Sequence, residues 1–450
     1  MKIVSLFAGC GGLDLGFERA GFTVVWANEF DATIHETFRI NHPNTILNTS
    51  DIRNLSASDI PDCDGIIGGP PCQSWSLGGK CLGIDDERGK LVYDYIRIVE
   101  GKHPKFFIME NVAGMVSERH MASFRSFLKM FQDIGYNVKY ELMNAADYEI
   151  PQDRQRIIIV GIRNDIDSPY VFPPAKTDKH VTLAKAIGNI NEPPRPYLNE
   201  TVDNHYTSIL NHDYFIGDYD KKFMARNRVR AWDEVSYTIQ AQAKNEPLHP
   251  QAPKMVYITD NERTFKKGYE HLYRRLSVRE CARIQSFPDS FRFVYSNVQD
   301  GYKMVGNAVP PRLAYYLAVS IKECLKKAAN ESILIGYVKS EKDLINIRKQ
   351  NVYYVRGGNR PGALSFGQLD HSIKWLLLHR NGKRYYFELY DKNALECNHE
   401  YLKKLGFSPQ GNIYWLFQIK RELSQAEIHD SLGKISTIYT KKPQILNIQI

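Results

Sequence analysis

Short apolar runs recur along the first 160 or so residues, separated by stretches whose apolar positions return at helical spacing. Lys2–Phe7 reads as a buried strand, Ala8-Gly9-Cys10-Gly11-Gly12 as a turn, and Leu13, Leu15, Phe17 and Ala20 as one face of a helix. Thr23–Ala27 is a second strand, which ends at Asn28-Glu29-Phe30-Asp31 ahead of a helix over 31–40. A third unit closes at Ser50-Asp51-Ile52, a fourth strand is Gly65-Ile66-Ile67, and a fifth, Phe106–Met109, delivers Glu110-Asn111-Val112. Helices are expected at about 84–101 and 117–135, then strands at Asn137–Leu142 and Ile157–Gly161, with Pro151-Gln152-Asp153-Arg154-Gln155-Arg156 between them. This alternation predicts an α/β fold with a doubly wound, mostly parallel sheet. Each of these polar breaks falls at a strand's carboxyl end, where open α/β sheets build their sites.

From residue 164 the texture changes. Prolines cluster at Pro169, Pro173, Pro174, Pro193, Pro194 and Pro196, and the alternation of strands with long helices is lost. Regular structure returns at Arg275–Ile284, where Ser277 followed by Glu280 forms a capping box. After Tyr302–Pro310, Pro311 opens a helix expected to run to about 328. The last segment is rich in aromatics, with strand-like runs at 351–355, 373–379, 384–390 and 412–420 and helical patterns near 340–349, 396–405 and 422–432. The expected organisation is an α/β domain over 1–163, a smaller irregular domain over 164–300, a helical return over 301–330 and an α+β extension over 331–450. No internal repeat is found.

Composition is that of a soluble globular protein, with 43% hydrophobic and 24% charged residues, and no apolar run approaches a membrane span. The amino terminus carries no cleavage signal, and seven cysteines without a CxxC pair fit neither a disulfide framework nor a zinc site. A reduced, cytoplasmic protein is the expectation. Net charge is +8, but residues 1–330 hold 41 basic against 40 acidic side chains and 331–450 hold 18 against 11. The excess suits a polyanionic partner or simply a soluble surface.

Gly68-Gly69-Pro70-Pro71-Cys72-Gln73-Ser74-Trp75-Ser76 sets a thiol at the mouth of a strand-to-loop bend, where a substrate can reach it. A buried structural cysteine is the plain alternative. The glycine turn at 8–12 would present backbone N–H groups to a ligand, and Glu29, near 20 residues on, suits ribose hydroxyls or the start of a helix. Arg226-Asn227-Arg228-Val229-Arg230-Ala231-Trp232 and Tyr237–Lys244 interleave cations with aromatics, which suits phosphate and guanine contacts as well as a solvated loop.

Over about 1–328 these residues resemble the cytosine-5 DNA methyltransferases in order and spacing. The matching blocks are Phe7–Gly12, Pro71-Cys72-Gln73, Glu110-Asn111-Val112, Gln152–Arg156 and Gly306–Val309. The resemblance implies the S-adenosylmethionine-dependent methyltransferase fold, S-adenosylmethionine as donor with S-adenosylhomocysteine as product, no metal, and a cytosine flipped out of double-stranded DNA. Residues 205–284 look like the restriction-modification branch that acts on GGCC, through Asn211–Gly217, 226–232 and Leu248–Pro253. Where that branch carries an arginine this chain has Lys244, which lacks the bidentate fork that reads guanine. A cognate endonuclease is the implied counterpart, and a monomer is expected.

Carbon 5 of cytosine is a poor nucleophile, so the ring needs activation by a thiolate at C6, the role given to Cys72. Glu110 is expected at N3 and the exocyclic amine, Arg156 at O2, and Arg154 on the loop and a phosphate. Ser76 and Gly78 belong to a loop, 76–83, that closes over the flipped base. Arg226, Arg228 and Lys244 are the DNA-reading candidates. For the donor, Phe7 packs the adenine edge, and Ala8, Gly9, Gly11, Gly12 and Leu13 with the Asp14 neighbourhood face the methionine part. Glu29 with Phe30 holds the ribose, Asp51 and Ile52 read the adenine, and Pro71, Leu91, Asn307 and Ala308 close the pocket. The last two lie far along the chain, so the final helix must return beside the first strand. An RNA cytosine-5 methyltransferase and an inactive DNA-binding relic are the competing readings. For 331–450 the choices are accessory DNA binding or docking of a partner protein.

Overall fold

A computed structural model of the chain describes residues 1–71, 91–166, 168–176, 179–197, 208–338, 340–356, 373–380, 383–389, 395–405, 407, 413–423 and 444–449. Cys72, Ser76, Gly78 and the expected helix start at 84–90 lie outside the described residues. The chain divides into two compact units, Met1–Lys322 and Glu323–Ile450.

The first unit is built on strands β1 (Lys2–Leu6), β2 (Thr23–Asn28), β3 (Ile46–Asn48), β4 (Gly65–Gly68), β5 (Phe106–Val112), β6 (Tyr136–Asn144) and β7 (Gln155–Arg163). Their order across the sheet is β3-β2-β1-β4-β5-β7-β6. Pairs among β1–β5 are parallel, while β7 runs antiparallel between β5 and β6. From β1 the chain winds one way to β2 and β3, then returns to β4 and winds the other way to β5. The switch point therefore lies between β1 and β4, and a crevice opens outside their carboxyl ends. Both the glycine turn and the Pro70-Pro71 approach leave the sheet there.

Helices α1 (Gly12–Arg19), α2 (His35–Asn41), α3 (Leu91–Lys102) and α4 (Met121–Asp133) cover the sheet. On α4 the buried face is Phe124, Phe127 and Phe131, a three-to-four spacing; Phe131 stacks on Phe107 of β5 at 4.1 Å between ring centroids. The expected helix over 31–40 starts four residues later, because Asp31 instead turns the chain by accepting from Thr33.

Residues 164–310 form α5 (Leu183–Ile187), β8 (Arg195–Tyr197), β9 (Asp213–Phe215), α6 (Lys221–Met224), β10 (Val256–Thr259), β11 (Glu262–Thr264), α7 (Val278–Ile284) and α8 (Val298–Asn307), followed by α9 (Pro311–Ala329). So much irregular backbone leaves buried carbonyls without ladder partners, and each needs a donor. Buried arginines supply them. Arg275 donates to the carbonyls of Gly217, Asp218 and Lys244, and Arg279 to those of Leu210, Pro288 and Phe291.

The second unit holds β12 (Asn330–Tyr337), α10 (Glu341–Gln350), β13 (Val352–Arg356), β14 (Ile373–Arg380), β15 (Lys383–Leu389), β16 (Leu395–Asn398), α11 (His399–Lys404), β17 (Ile413–Glu422) and β18 (Gln444–Gln449). The sheet order is β13-β17-β15-β14-β12-β18, with β16 on β17, and only β12 with β14 pairs in parallel. The helix expected over 396–405 is corrected: its first residues pair with β17 as β16, and the helix begins at His399. The helical pattern near 422–432 begins inside β17, and its remainder from 424 lies outside the described residues.

Candidate active site

One edge of the crevice begins where β1 ends. Phe7, Gly9 and Gly11 all have positive φ, of 53°, 58° and 87°. At Gly9 a Cβ would meet nothing within 4 Å, so this backbone faces open space. The neighbouring glycines serve packing. A Cβ on Gly11 would fall 2.1 Å from His42 Nε2, and one on Gly12 2.5 Å from the Val309 carbonyl oxygen. The second contact brings 308–309 onto the turn, as the distant closing segment requires.

Glu29, at the end of β2, accepts from the Gly9 N–H at 2.9 Å and from the Asp31 N–H at 2.8 Å. Burial pushes its carboxyl pKa up. Phe30 beside it is 66% exposed. Asp51 accepts from its neighbour Arg53, through the backbone N–H and the guanidinium at 3.0 Å, and this contact holds the carboxyl below its usual range. Ile52 and Leu13 are buried, Ala8, Pro71 and Leu91 are half-buried, Asn307 is exposed and Ala308 lies at the buried limit. Open backbone at Gly9, an exposed ring at Phe30 and oriented acceptors at Glu29 fit a nucleoside bearing an amino-acid tail.

The other edge lies across β4 and β5. Glu110 is buried near the end of β5, and Arg156 sits at the start of antiparallel β7, opposite Val112. Their charged groups meet with Arg156 Nε 3.0 Å from Glu110 Oε1. This contact is an ion pair without hydrogen-bond alignment, since Oε1 has no hydrogen-bond partner. A Cβ on Gly69 would stand 3.2 Å from Glu110 Oε2, so the strand leading to Cys72 passes close by the carboxylate. Asn111 Nδ2 donates to the Pro70 carbonyl at 3.2 Å and fixes that approach.

Two expectations are corrected. Arg154 cannot reach a phosphate: it is 1% exposed and donates to the carbonyls of Ile239, Gly306 and Ala308 at 3.3, 2.8 and 3.1 Å. It holds the chain rather than the nucleic acid. Arg228 is also turned inward, 9% exposed, donating to the Phe223 and Lys222 carbonyls and lying 4.7 Å over the Phe223 ring. Burial pulls its pKa down to about 10. Arg226 and Lys244 are exposed.

Sequence reasoning missed Gln152 and Gln285, both fully buried. Gln152 accepts the Ile239 N–H at 2.9 Å and bonds Gln285, which donates to the Val305 and Ala308 carbonyls. With Arg154 they bind the 239 segment to the turn at 305–308. An amide side chain has no titration to advertise it, and only the spacing in Gln152–Arg156 gave any signal.

A doubly wound sheet with this strand order, a glycine turn at the switch point and a carboxylate–guanidinium pair beside it define the α/β methyltransferase fold. The profile of the C-5 cytosine-specific DNA methylases matches residues 1–323. The chain belongs to that family, and is an enzyme that methylates carbon 5 of cytosine in DNA. It is 50% identical over 331 residues to the type II methyltransferase M.NgoPII of Neisseria gonorrhoeae, a match covering 73% of this chain and 97% of the relative. Type II methyltransferase M.FnuDI of Fusobacterium nucleatum is likewise 50% identical, over 328 residues, 72% of this chain and 95% of the relative. Among solved structures, a prophage-encoded DNA modification methyltransferase of E. coli aligns with a TM-score of 0.56 at 22% identity, covering 72% of this chain and 99% of that one. The Entamoeba histolytica methyltransferase EhMeth aligns at 0.54 and 16% identity, covering 72% and 98%. These likenesses concern the fold. Among the described residues no helix is long and apolar enough to cross a membrane.

Proposed function

We propose that this enzyme transfers the methyl group of S-adenosylmethionine to carbon 5 of a flipped-out cytosine in GGCC or a related GC-rich palindrome, and so protects DNA from a cognate restriction endonuclease. The observation that carries the reading is the Glu110–Arg156 pair beside Gly69, three residues before Cys72. A pyrimidine lodged there meets a carboxylate on its N3 and amine edge and a guanidinium on its O2 side.

The Cys72 thiolate adds to C6, and the electron pair displaced toward C5, N3 and O2 is met by Glu110 and Arg156. The donor supplies an electrophilic methyl group on a sulfonium, and its transfer to C5 leaves S-adenosylhomocysteine. Loss of the C5 proton to water or hydroxide then expels Cys72 as thiolate and restores the ring. Glu29 and Phe30 would hold the ribose and adenine, Gly9 and its neighbours the amino-acid tail, and the segment at 307–308 would cover them. Ser76 and Gly78 would line the loop over the base. Arg226 and Lys244, both exposed, remain the candidates for reading DNA. The Lys244 carbonyl is held by Arg275, so the lysine is displayed from a fixed backbone.

Bisulfite sequencing of plasmid from cells expressing the protein tests activity and target together. New 5-methylcytosine confined to one GC-rich palindrome is expected, abolished by Cys72→Ala. A 5-fluorocytosine oligonucleotide should form a covalent adduct at residue 72. Methylation that survives Cys72→Ala, or an adduct at another residue, would overturn the mechanism.

A further inference from the structure

Beneath the glycine turn lies a polar cluster that the methyl-transfer chemistry leaves unused. His42, the residue after α2, is 1% exposed, and its Nδ1 lies 3.0 Å from Glu18 Oε2 on α1. Its Nε2 is buried with no hydrogen-bond partner and supports the turn directly, since a Cβ on Gly11 would overlap it. Asp14, one helical turn before Glu18, is fully buried, and neither carboxylate oxygen has a hydrogen-bond partner. The Phe38 ring stacks on the imidazole at 4.7 Å and Phe291 closes the side at 6.2 Å. The ionisable groups facing His42 are thus Asp14 and Glu18, both on α1, with Cys10 of the turn beyond Asp14.

An apolar residue would fill this space at lower desolvation cost, so polar groups kept here call for a reason. Without a side chain the Gly11 backbone can rest on the ring, and the turn's height above the sheet is set by where the ring stands. We propose that His42, anchored by Glu18, is a positioning residue that holds the Ala8–Gly12 turn in the shape that receives the amino-acid tail of the methyl donor. This inference rests on the donor-binding reading of that turn. Burial alone disfavours the charged ring, but the Glu18 contact and the Asp14 charge outweigh it, and the His42 pKa stands above its ordinary value; burial also raises the Asp14 carboxyl to about 6, so below that pH Glu18 alone supports the ring. A raised pKa means that the charged form is held to higher pH than in an ordinary histidine and is lost as pH climbs through it. The donor's affinity should fall over the same interval.

The test is the dissociation constant of S-adenosylmethionine against pH for the full chain and three variants, with the unfolding temperature of each measured without donor. The donor's own amine titrates equally in all of them, so differences between variants belong to the protein. His42→Gln keeps a donor amide without a titratable charge. It should weaken binding about tenfold at low pH and flatten the protein's share of the profile, while kcat at saturating donor stays within about twofold. Glu18→Gln, at a partly exposed position, should move the fall in affinity to lower pH. If both variants keep the wild-type profile, or lose kcat without a change in donor KM, the inference is wrong. Should His42→Gln fail to fold, Glu18→Gln decides alone. Gly9→Val separates the underlying reading: donor binding that survives it removes the donor from the turn. Binding that it abolishes, with His42→Gln and Glu18→Gln unaltered, overturns only the role of His42.

Discussion

An arginine in this chain serves either the solvent side or the interior, and its neighbours in sequence do not say which. Arg226 and Arg228 are two positions apart in one basic run, yet Arg226 is exposed while Arg228 donates to two backbone carbonyls. The charge pattern made both DNA readers because a guanidinium suits phosphate and peptide carbonyls equally well. Arg228→Ala should therefore lower stability by about 2–4 kcal/mol, through unpaired carbonyls and a lost stacking contact. Arg226→Ala should leave stability within about 0.5 kcal/mol and weaken DNA binding in a salt-dependent way. Denaturant unfolding and DNA titration at two salt concentrations read both effects, and equal destabilisation by the two variants would contradict this division. Glu110 stood out because a carboxylate at the end of an apolar strand has few reasons to be there, and Arg156 because it lies in the Gln152–Arg156 block; the structure brings the two together. His42 was not: nothing in the order of residues says that an imidazole will end up beneath a glycine.

Elements with a strong period were read nearly to the residue. Strands β1, β2, β4 and β5 begin where the apolar runs begin, and the Ser277–Glu280 capping box opens α7 as its spacing implied. Failures came where tertiary pairing overrode the local pattern, as in β16, whose residues are helical in period but are captured by β17. Glu280 shows how much one capping residue can carry. It accepts the Ser277 N–H at 2.8 Å and two bonds from Arg274, each at 2.7 Å. Burial would raise its pKa, but Arg274 overrides that and brings it down to about 2. A depressed carboxyl pKa stabilises the fold above the unfolded value, near 4.3, and that stability disappears as pH falls toward 2. His249, 3.5 Å away, adds an earlier loss: burial lowers its pKa to about 4, so stability declines from near pH 6.5 downward as the unfolded histidine takes up its proton. Glu280→Gln should cost about 3 kcal/mol at pH 7, and the fall in unfolding temperature between pH 5 and 3 should become shallower. Thermal unfolding across that range checks both, and an unchanged acid slope would show that another group governs it.

At the scale of the molecule, two units of different charge share one chain, and their boundary was nearly visible in composition alone. The first unit ends inside α9 at Lys322, and the excess of 18 basic over 11 acidic residues begins a few residues later, at 331. Part of that charge is spent within the second unit, where Arg348 pairs with Glu422 at 2.7 Å and Arg380 pairs with Glu341. Lys383 on β15 and Lys403 on α11 are exposed. M.NgoPII is matched over 97% of its length by 331 residues of this chain, so it has no counterpart for the last segment. A chain cut after Ala329 should accordingly fold and methylate, since it keeps α9 whole, both edges of the donor crevice and the Glu110–Arg156 pair. We propose that the second unit contributes phosphate contacts on DNA flanking the target. Each such contact releases counterions and steepens the fall of log affinity with log salt by about 0.9. Shortening the chain should then reduce that slope by two or more and raise Kd at physiological salt, while the set of methylated sites stays the same. A slope that does not change would show that the unit leaves the duplex untouched, and would overturn this role.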